Sequence, residues 1–331
     1  MKSIQFSEYG VPDSLRLVEA EPTPARAGEV RVAIEAAPLN PSDFMLTDGR
    51  YPFRPALPSP AGSEGVGRVI DVGDGVTAVE QGDRVLVLPS GQPGTWQQEI
   101  VIAERFVVRV GRDIDPVQLA TVGINAATAH LLLRYGNLRP GAWVAQTAAN
   151  SGLGAFIIAL ARRAGLRTLN IVRRPGVADP LLDAGADAVV VSDDALTAGV
   201  GEALGDEKVS LLLDGVGGPL VAELAPFLAR EADIVSFAAM SGQPIAVHPM
   251  YLNFKNLHVH GFWLNNWLDS APRAEIEQVY AEIIDLIADR VLSTRIEATY
   301  RLDEHAEAIA HARSTGRHGK IVFTNDVLVT R

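Results

Sequence analysis

The chain contains no cysteine. That absence removes disulfides, thiolate nucleophiles, Cys-ligated zinc and iron–sulfur clusters, and it points to a reducing compartment. Chemistry must then come from oxygen or nitrogen groups or from a bound cofactor. Cations are also scarce: 29 Lys and Arg against 40 Asp and Glu leave a net charge of −11. A field of that sign repels polyanions and anionic membrane surfaces, so neither a nucleic acid nor a membrane is expected as partner. No stretch of about 18 uncharged apolar residues occurs, and the opening Met1–Phe6 reads as a strand rather than an apolar signal core. The expected location is the cytoplasm. What the chain does have is apolar mass: 47% hydrophobic residues over 331 positions suffice for two packed cores and exclude disorder as the main state.

The first 115 or so residues carry short β-type runs separated by Gly and Pro: Val30–Ile34, Gly67–Val72, Arg84–Leu88 and Glu99–Ala103. From about Leu119 to Leu264, strands alternate with amphipathic segments, the pattern of a parallel sheet with crossover helices. Strands are expected at Trp143–Gln146, Thr168–Val172, Ala188–Val191, Val209–Leu213, Ile234–Phe237 and Leu257–Phe262. Leu153, Phe156, Ile157, Leu160, Ala161 and Ala164 recur at helical spacing, which predicts a helix over 153–164 with Arg162 and Arg163 outside the apolar stripe. A second such helix runs through Ile276, Val279, Tyr280, Ile283 and Ile287, and Lys320–Thr324 reads as a closing strand. The expected architecture is α/β: a doubly wound parallel-sheet domain over 119–267, and a mostly β domain made discontinuously from 1–118 and 268–331.

Between the strand ending at Gln146 and the following helix lies Ala148-Ala149-Asn150-Ser151-Gly152-Leu153-Gly154. Small residues in such a turn let the backbone approach a pyrophosphate, and the helix behind presents unsatisfied N–H groups and its positive dipole end. By itself the turn also suits tight strand–helix packing. Nineteen residues after Gly154, where a carboxylate would select the ribose 2′-OH of NAD, stand Arg173 and Arg174. Guanidinium groups bind a 2′-phosphate bidentately, so NADPH is the expected cofactor, the alternative being a solvated arginine pair.

The motifs Gly62-Ser63-Glu64-Gly65-Val66-Gly67, Gly82-Asp83-Arg84-Val85, the Ala-Ala-x-x-Gly-x-Gly turn and Gly319-Lys320-Ile321-Val322 make the chain resemble the medium-chain dehydrogenase/reductase superfamily. The resemblance implies a GroES-like catalytic domain beside a Rossmann domain. Ser63 stands where the zinc enzymes of that superfamily have a histidine ligand, and with no cysteine ligands either, a zinc-independent branch is implied and no metal is expected. Within that branch the chain is similar to mitochondrial-type 2-enoyl thioester reductases. The similarity rests on Asn40-Pro41-Ser42-Asp43 with Asp48-Gly49-Arg50-Tyr51, Gly94-Thr95-Trp96, Gly123–Ala129, Asn150–Gly154 and Gly261-Phe262-Trp263-Leu264. Pro52–Pro58 and Asn265-Asn266-Trp267 depart from the family pattern.

That resemblance implies that NADPH reduces the C=C bond of an α,β-unsaturated thioester, linked to coenzyme A or an acyl carrier protein, with Tyr51 as the catalytic donor. A tyrosine hydroxyl, neutral at physiological pH, can donate to an enolate oxygen, although Tyr51 also fits a half-buried surface aromatic. Cofactor contacts are implied for Asn125 (otherwise a helix N-cap), Asn150, Ser151, Gly152, Leu153, Gly154, Arg173 and Arg174. They are implied also for Phe237, Ala238, Ala239 and Met240, for Phe262, Trp263, Leu264 and Asn265, and for Lys320, which equally fits a solvated lysine. Asn40, Tyr51 and Trp263 are the expected substrate-pocket residues, Asn40 and Asp43 are expected to hold the Tyr51 loop, and Glu64 reads as structural. Arg50 and Arg54 flank Tyr51 as a basic rim for an acidic carrier, or as a solvated pair.

His258 and His260 share one strand face, but no carboxylate at metal spacing accompanies them in sequence, so structural roles are expected. Ser151 lacks a G-x-S-x-G elbow, which removes a hydrolase. The other activities to be weighed are an NADPH-dependent quinone or enone reductase and a non-catalytic NADPH-binding protein. The resemblance further implies a homodimer formed along the strand near Leu257–Phe262.

Overall fold

A computed structural model describes residues 1–91 and 94–325. The chain divides into two compact units, Met1–Ala127 with Trp267–Arg331, and Thr128–Asn266, against boundaries expected at 118/119 and 267/268.

The first unit begins with eight strands: β1 (Lys2–Phe6), β2 (Leu15–Glu19), β3 (Glu29–Pro38), β4 (Ser59–Pro60), β5 (Gly65–Val72), β6 (Arg84–Val87), β7 (Glu99–Ala103) and β8 (Val107–Arg109). The second unit contributes β9 (Trp143–Gln146), β10 (Arg167–Val172), β11 (Ala188–Val191), β12 (Val209–Asp214), β13 (Leu228–Ser236) and β14 (His258–Gly261). The chain returns to the first unit for β15 (Ile296–Tyr300) and β16 (Lys320–Thr324).

In the first unit β3 is the organising strand. It pairs antiparallel with β5, β7 and β16, and from Glu29 its side chains alternate between half-buried and buried up to Ala36, which places Val30, Val32 and Ile34 in the core. Ile4, Phe6, Trp96, Ile321 and Phe323 complete that core, with the Trp96 indole N–H donating to the Pro38 carbonyl at 3.0 Å. The helix Arg273–Ala288 buries Ile276, Val279, Tyr280, Ile283 and Ile287, the stripe expected from helical spacing.

The second unit holds one parallel six-stranded sheet in the order β11-β10-β9-β12-β13-β14. Numbered within the unit, that is 3-2-1-4-5-6, the doubly wound order of dinucleotide-binding folds. Central β9 is buried at all four positions, as a strand covered on both faces must be. The helix Gly152–Arg163 buries Leu153, Phe156, Ile157, Leu160 and Ala161 and leaves Arg162 and Arg163 at its last turn, where their charge opposes the helix dipole. β13 starts at Leu228 rather than at the expected Ile234: its pairing with β12 begins at Leu228 opposite Val209, breaks register around Arg230 and Glu231, where Glu231 takes φ +60°, and resumes at Asp233 opposite Leu211. Among the described residues no helix is long and apolar enough to cross a membrane.

Candidate active site

Because all six strands of the second unit run the same way, their carboxyl ends share one rim. The strand order reverses between β9 and β12, the place where open α/β sheets bind ligands. Directly after β9, Ala148 adopts φ +52°, and the Ser151 hydroxyl caps the following helix by accepting the Gly154 N–H at 3.1 Å. A Cβ on Gly154 would lie 2.2 Å from the Ala149 carbonyl oxygen, so no larger residue fits there without moving the backbone. The result is a tight turn feeding a helix whose first N–H groups have no intrahelical acceptor, a suitable cradle for a pyrophosphate. Arg173 and Arg174 follow β10 and are exposed.

Across the crevice, a latch that the motif reading missed holds the turn after β12. Buried Asp214 accepts the Thr147 hydroxyl at 2.8 Å and the N–H groups of Val216 and Gly217 at 3.1 and 2.9 Å, while Thr147 Oγ1 accepts the Gly215 N–H at 2.8 Å. The signal was present as an acid ending an apolar strand and followed by glycine, Leu213-Asp214-Gly215. Onto this turn folds the segment after β13. The Phe237 and Met240 N–H groups donate to the carbonyls of Asp214 and Gly215 at 3.0 and 3.1 Å, and the Phe237 ring packs on Gly215. Ala238, Ala239 and Met240 face solvent. Phe262 donates its N–H to Ser236 at 2.8 Å, leaving Trp263 exposed, Asn265 half-buried and Leu264 buried. Fourteen expected residue positions thus meet on the rim: the turn 150–154, the arginine pair 173–174, and the segments 237–240 and 262–264, with Asn265 adjoining.

The remaining predicted residues belong to the first unit. Asn125 is the first residue of the helix Asn125–Leu132. Tyr51 is half-buried and packs against the core of this unit, in a loop that follows the helix Pro41–Thr47. Arg50 pairs with Asp48 at 2.9 Å, Arg313 pairs with the same carboxylate at 2.8 Å, and Arg54 donates to the Gly49 carbonyl at 2.8 Å. Burial alone would raise the Asp48 pKa, but hydrogen bonds and charge from Arg313 and Arg50 outweigh it and hold the carboxyl low. Much of the basic rim is therefore spent on bracing the loop.

Asn40 and Lys320 occupy a setting different from an open pocket or a phosphate grip. The Lys320 ammonium turns inward and donates to Asn40 Oδ1. Asn40 Nδ2 donates to Glu64 Oε1 at 2.8 Å, and Glu64 Oε2 accepts the Ile124 N–H at 2.7 Å. Asp43 accepts the Asn40 N–H at 2.8 Å and the Ser63 hydroxyl. Burial raises the Glu64 carboxyl to about 7, against the Lys320 charge and the two hydrogen bonds from Asn40 and Ile124, and Asp43 adds to the rise. Burial likewise raises Asp43 to about 6 despite Ser63, the Asn40 N–H and Lys320. Burial lowers Lys320 while the two carboxylates raise it. Glu64 and Asp43 are a buried acid pair served by one ammonium.

Two family models match the chain: the alcohol dehydrogenase GroES-like domain over residues 26–112, and the zinc-binding dehydrogenase over 184–323. The chain is 34% identical to the mitochondrial enoyl-acyl-carrier-protein reductase of Homo sapiens over 316 residues, covering 93% of this chain and 84% of that one. With the Dictyostelium discoideum protein of the same name it shares 32% over 332 residues, covering 97% and 94%. Among solved structures, quinone oxidoreductase of Escherichia coli complexed with NADPH superposes with a TM-score of 0.87 at 27% identity, covering 98% of this chain and 100% of that one. The chain belongs to the medium-chain dehydrogenase/reductase superfamily. As a member of it, the protein is an oxidoreductase that uses a nicotinamide dinucleotide, and the two units are its GroES-like and Rossmann-type domains.

Zinc does not fit the chain at the superfamily's catalytic position. Ser63 replaces an imidazole, the chain has no thiolate to offer, and the cationic charge beside Glu64 and Asp43 is already supplied by Lys320. No step of the chemistry is derived through zinc. The nicotinamide dinucleotide does fit: the close-packed Gly154 turn, the helix start behind it and the exposed Arg173 and Arg174 would hold its phosphates.

Proposed function

We propose that this protein is an NADPH-dependent 2-enoyl thioester reductase. The observation that carries the proposal is Tyr51: a phenol held half-buried against the core, on a loop braced by the Asp48 ion pairs and reached from the capped helix Pro41–Thr47. The curated relatives at 32–34% identity, named as enoyl reductases, support the same reading. Bound NADPH supplies the hydride that is taken up at Cβ. As that bond forms, negative charge develops on the thioester oxygen, and the Tyr51 hydroxyl donates a hydrogen bond to it. Cα then takes a proton that originates from solvent, so that hydride and proton together give the saturated thioester and the oxidised cofactor. Arg173 and Arg174 would hold the 2′-phosphate, and the backbone at Asn150–Gly154 would take the pyrophosphate. Phe237–Met240 and Phe262–Asn265, all on the carboxyl rim of the second unit, would position the nicotinamide half, and Trp263 would wall the acyl group. The carrier is coenzyme A or an acyl carrier protein. The assembly is a cytoplasmic homodimer joined along β14, the last strand of its sheet.

A second reading, reduction of a quinone or enone, is favoured by the likeness to the Escherichia coli quinone oxidoreductase. Loss of NADPH absorbance is followed with crotonyl-coenzyme A beside 1,4-benzoquinone, in the parent and in Tyr51→Phe. Thioester turnover that falls at least about 10²-fold in the variant is the expected result. Quinone turnover indifferent to Tyr51→Phe, with no thioester turnover, would replace the first reading by the second.

A further inference from the structure

Asp233, separated by 25 and 27 positions from His258 and His260, joins them across a pair of parallel strands. In the β13–β14 ladder Asp233 lies opposite His258, and Val235 lies opposite His260. Residues two apart on a strand share a face, so the two imidazoles stand side by side, their ring centroids 6.3 Å apart. Asp233 Oδ1 is 2.6 Å from His260 Nε2 and 3.4 Å from His258 Nδ1. One donor atom from each of the three residues falls within a 4.8 Å group.

We propose that Asp233, His258 and His260 form a binding site for a divalent transition-metal ion of the zinc type, on one face of the parallel sheet beside its last strand. Zinc bonds to imidazole nitrogen and carboxylate oxygen are about 2.1 Å long, so neighbouring donors around a tetrahedral ion stand roughly 3.4 Å apart. The His258–Asp233 pair already has that separation. The His260–Asp233 pair must open by roughly 0.8 Å as the shared proton is given up and the ion takes its place. Two imidazoles and one carboxylate select zinc, cobalt, nickel or copper over magnesium or calcium, which require oxygen ligands.

Access and orientation suit an ion arriving from solvent. The histidine side chains are 47% and 39% exposed, whereas Asp233 is 14% exposed and fixed on a strand paired on both sides. The Tyr135 ring, 5.3 Å from that of His260, restricts its rotation. One or more coordination positions stay open to water. The side chains project from the sheet face and not along the backbone edge, so strand pairing at β14 would leave the three donors in place. The bound ion would cross-link β13 to β14 and fasten the outermost strand of the sheet.

Co2+ is titrated into the full chain, without a histidine tag and after treatment with a chelator, while visible absorption is recorded; Zn2+ is then added as competitor. The expected result is one saturable equivalent with a ligand-field band that zinc removes, and a melting temperature raised by zinc. His258→Ala and His260→Ala each weaken that binding by at least about 10-fold, whereas His311→Ala, at the separate Glu297–His311 pair, leaves it unchanged. Circular dichroism of the variants establishes that they are folded. NADPH oxidation in His258→Ala stays at the parent rate, because neither histidine belongs to the reductase machinery. Absence of saturable Co2+ or Zn2+ binding up to about 1 mM, or binding equal in the parent and both variants, would overturn the site.

Discussion

In the first unit Asn40, Asp43, Ser63, Glu64 and Lys320 are turned on one another and linked by a chain of side-chain hydrogen bonds. In the second unit the arginines at 173 and 174 and the segment Ala238–Met240 stand at the sheet rim facing solvent. The difference separates two uses of polarity. Groups that satisfy one another internally build and specify a fold, whereas groups held ready on a rigid edge wait for a ligand. The lysine of the Gly-Lys motif stands with the first kind, joined to Asn40, and the exposed arginine pair with the second.

The comparison breaks most sharply at Lys320. Lys320→Met removes the ammonium that serves two buried carboxyls, and the expected loss is about 3–5 kcal/mol in urea unfolding, the scale for breaking a buried charge pair. Glu64→Gln should then compensate part of that loss, since it removes one of the acids left unpaired. A loss no larger than that of a surface ion pair would place the cluster among ornamental contacts.

Next in size is a pH effect. Glu64 and Asp43 have folded-state pKa values of about 7 and about 6, above their unfolded values of 4.5 and 3.8. Over that interval the folded chain holds more protons than the unfolded chain, so these two groups make stability fall as pH rises from about 4 through about 7. Lys320, whose folded pKa is lowered, acts in the opposite sense at higher pH, where stability rises with pH. Urea midpoints measured between pH 4.5 and 7.5 should show the decline in the parent and a shallower one in Glu64→Gln. An equal slope in both chains would show that the acid pair does not titrate in this range.

The smallest effect sharpens the other half of the comparison. Arg173→Ala with Arg174→Ala should raise KM for NADPH by about 10- to 100-fold, the worth of one to two charge-assisted hydrogen bonds, while KM for NADH and the urea midpoint change little. Equal weakening of both cofactors would remove the 2′-phosphate from the role of these arginines.

The parts of the fold that the chain announces are those whose periodicity is set by burial alone. β9, the helix Gly152–Arg163 and the helix Arg273–Ala288 are apolar stripes with no competing demand, and their positions follow directly from spacing. β4 and β8, with two and three residues, are too short to show any period and exist because neighbouring strands offer them hydrogen bonds. Charged residues mislead in a consistent way. Arg230, Glu231 and Asp233 conceal the first half of β13, and Lys320 fits a solvated lysine until the pairing of β16 with β3 brings it beside Asn40. The candidate site divides along the same line. The rim turns are contiguous in sequence and therefore legible, whereas the Asp214 latch and the Asp233–histidine group depend on partners in neighbouring strands of a parallel sheet, many residues away. Parallel pairing always requires a long crossover, so contacts between such strands leave little trace in local sequence.

The buried cluster also ties together chain segments made at different times on the ribosome. Asn40, Asp43 and Glu64 emerge early, but Lys320 on β16 emerges only after the whole of the second unit, Thr128–Asn266. All six strands of the second unit's sheet are therefore synthesised before the acids of the first unit can meet their ammonium. The second unit can mature first, and the first unit closes last, when β16 arrives to bring Lys320 to its acids.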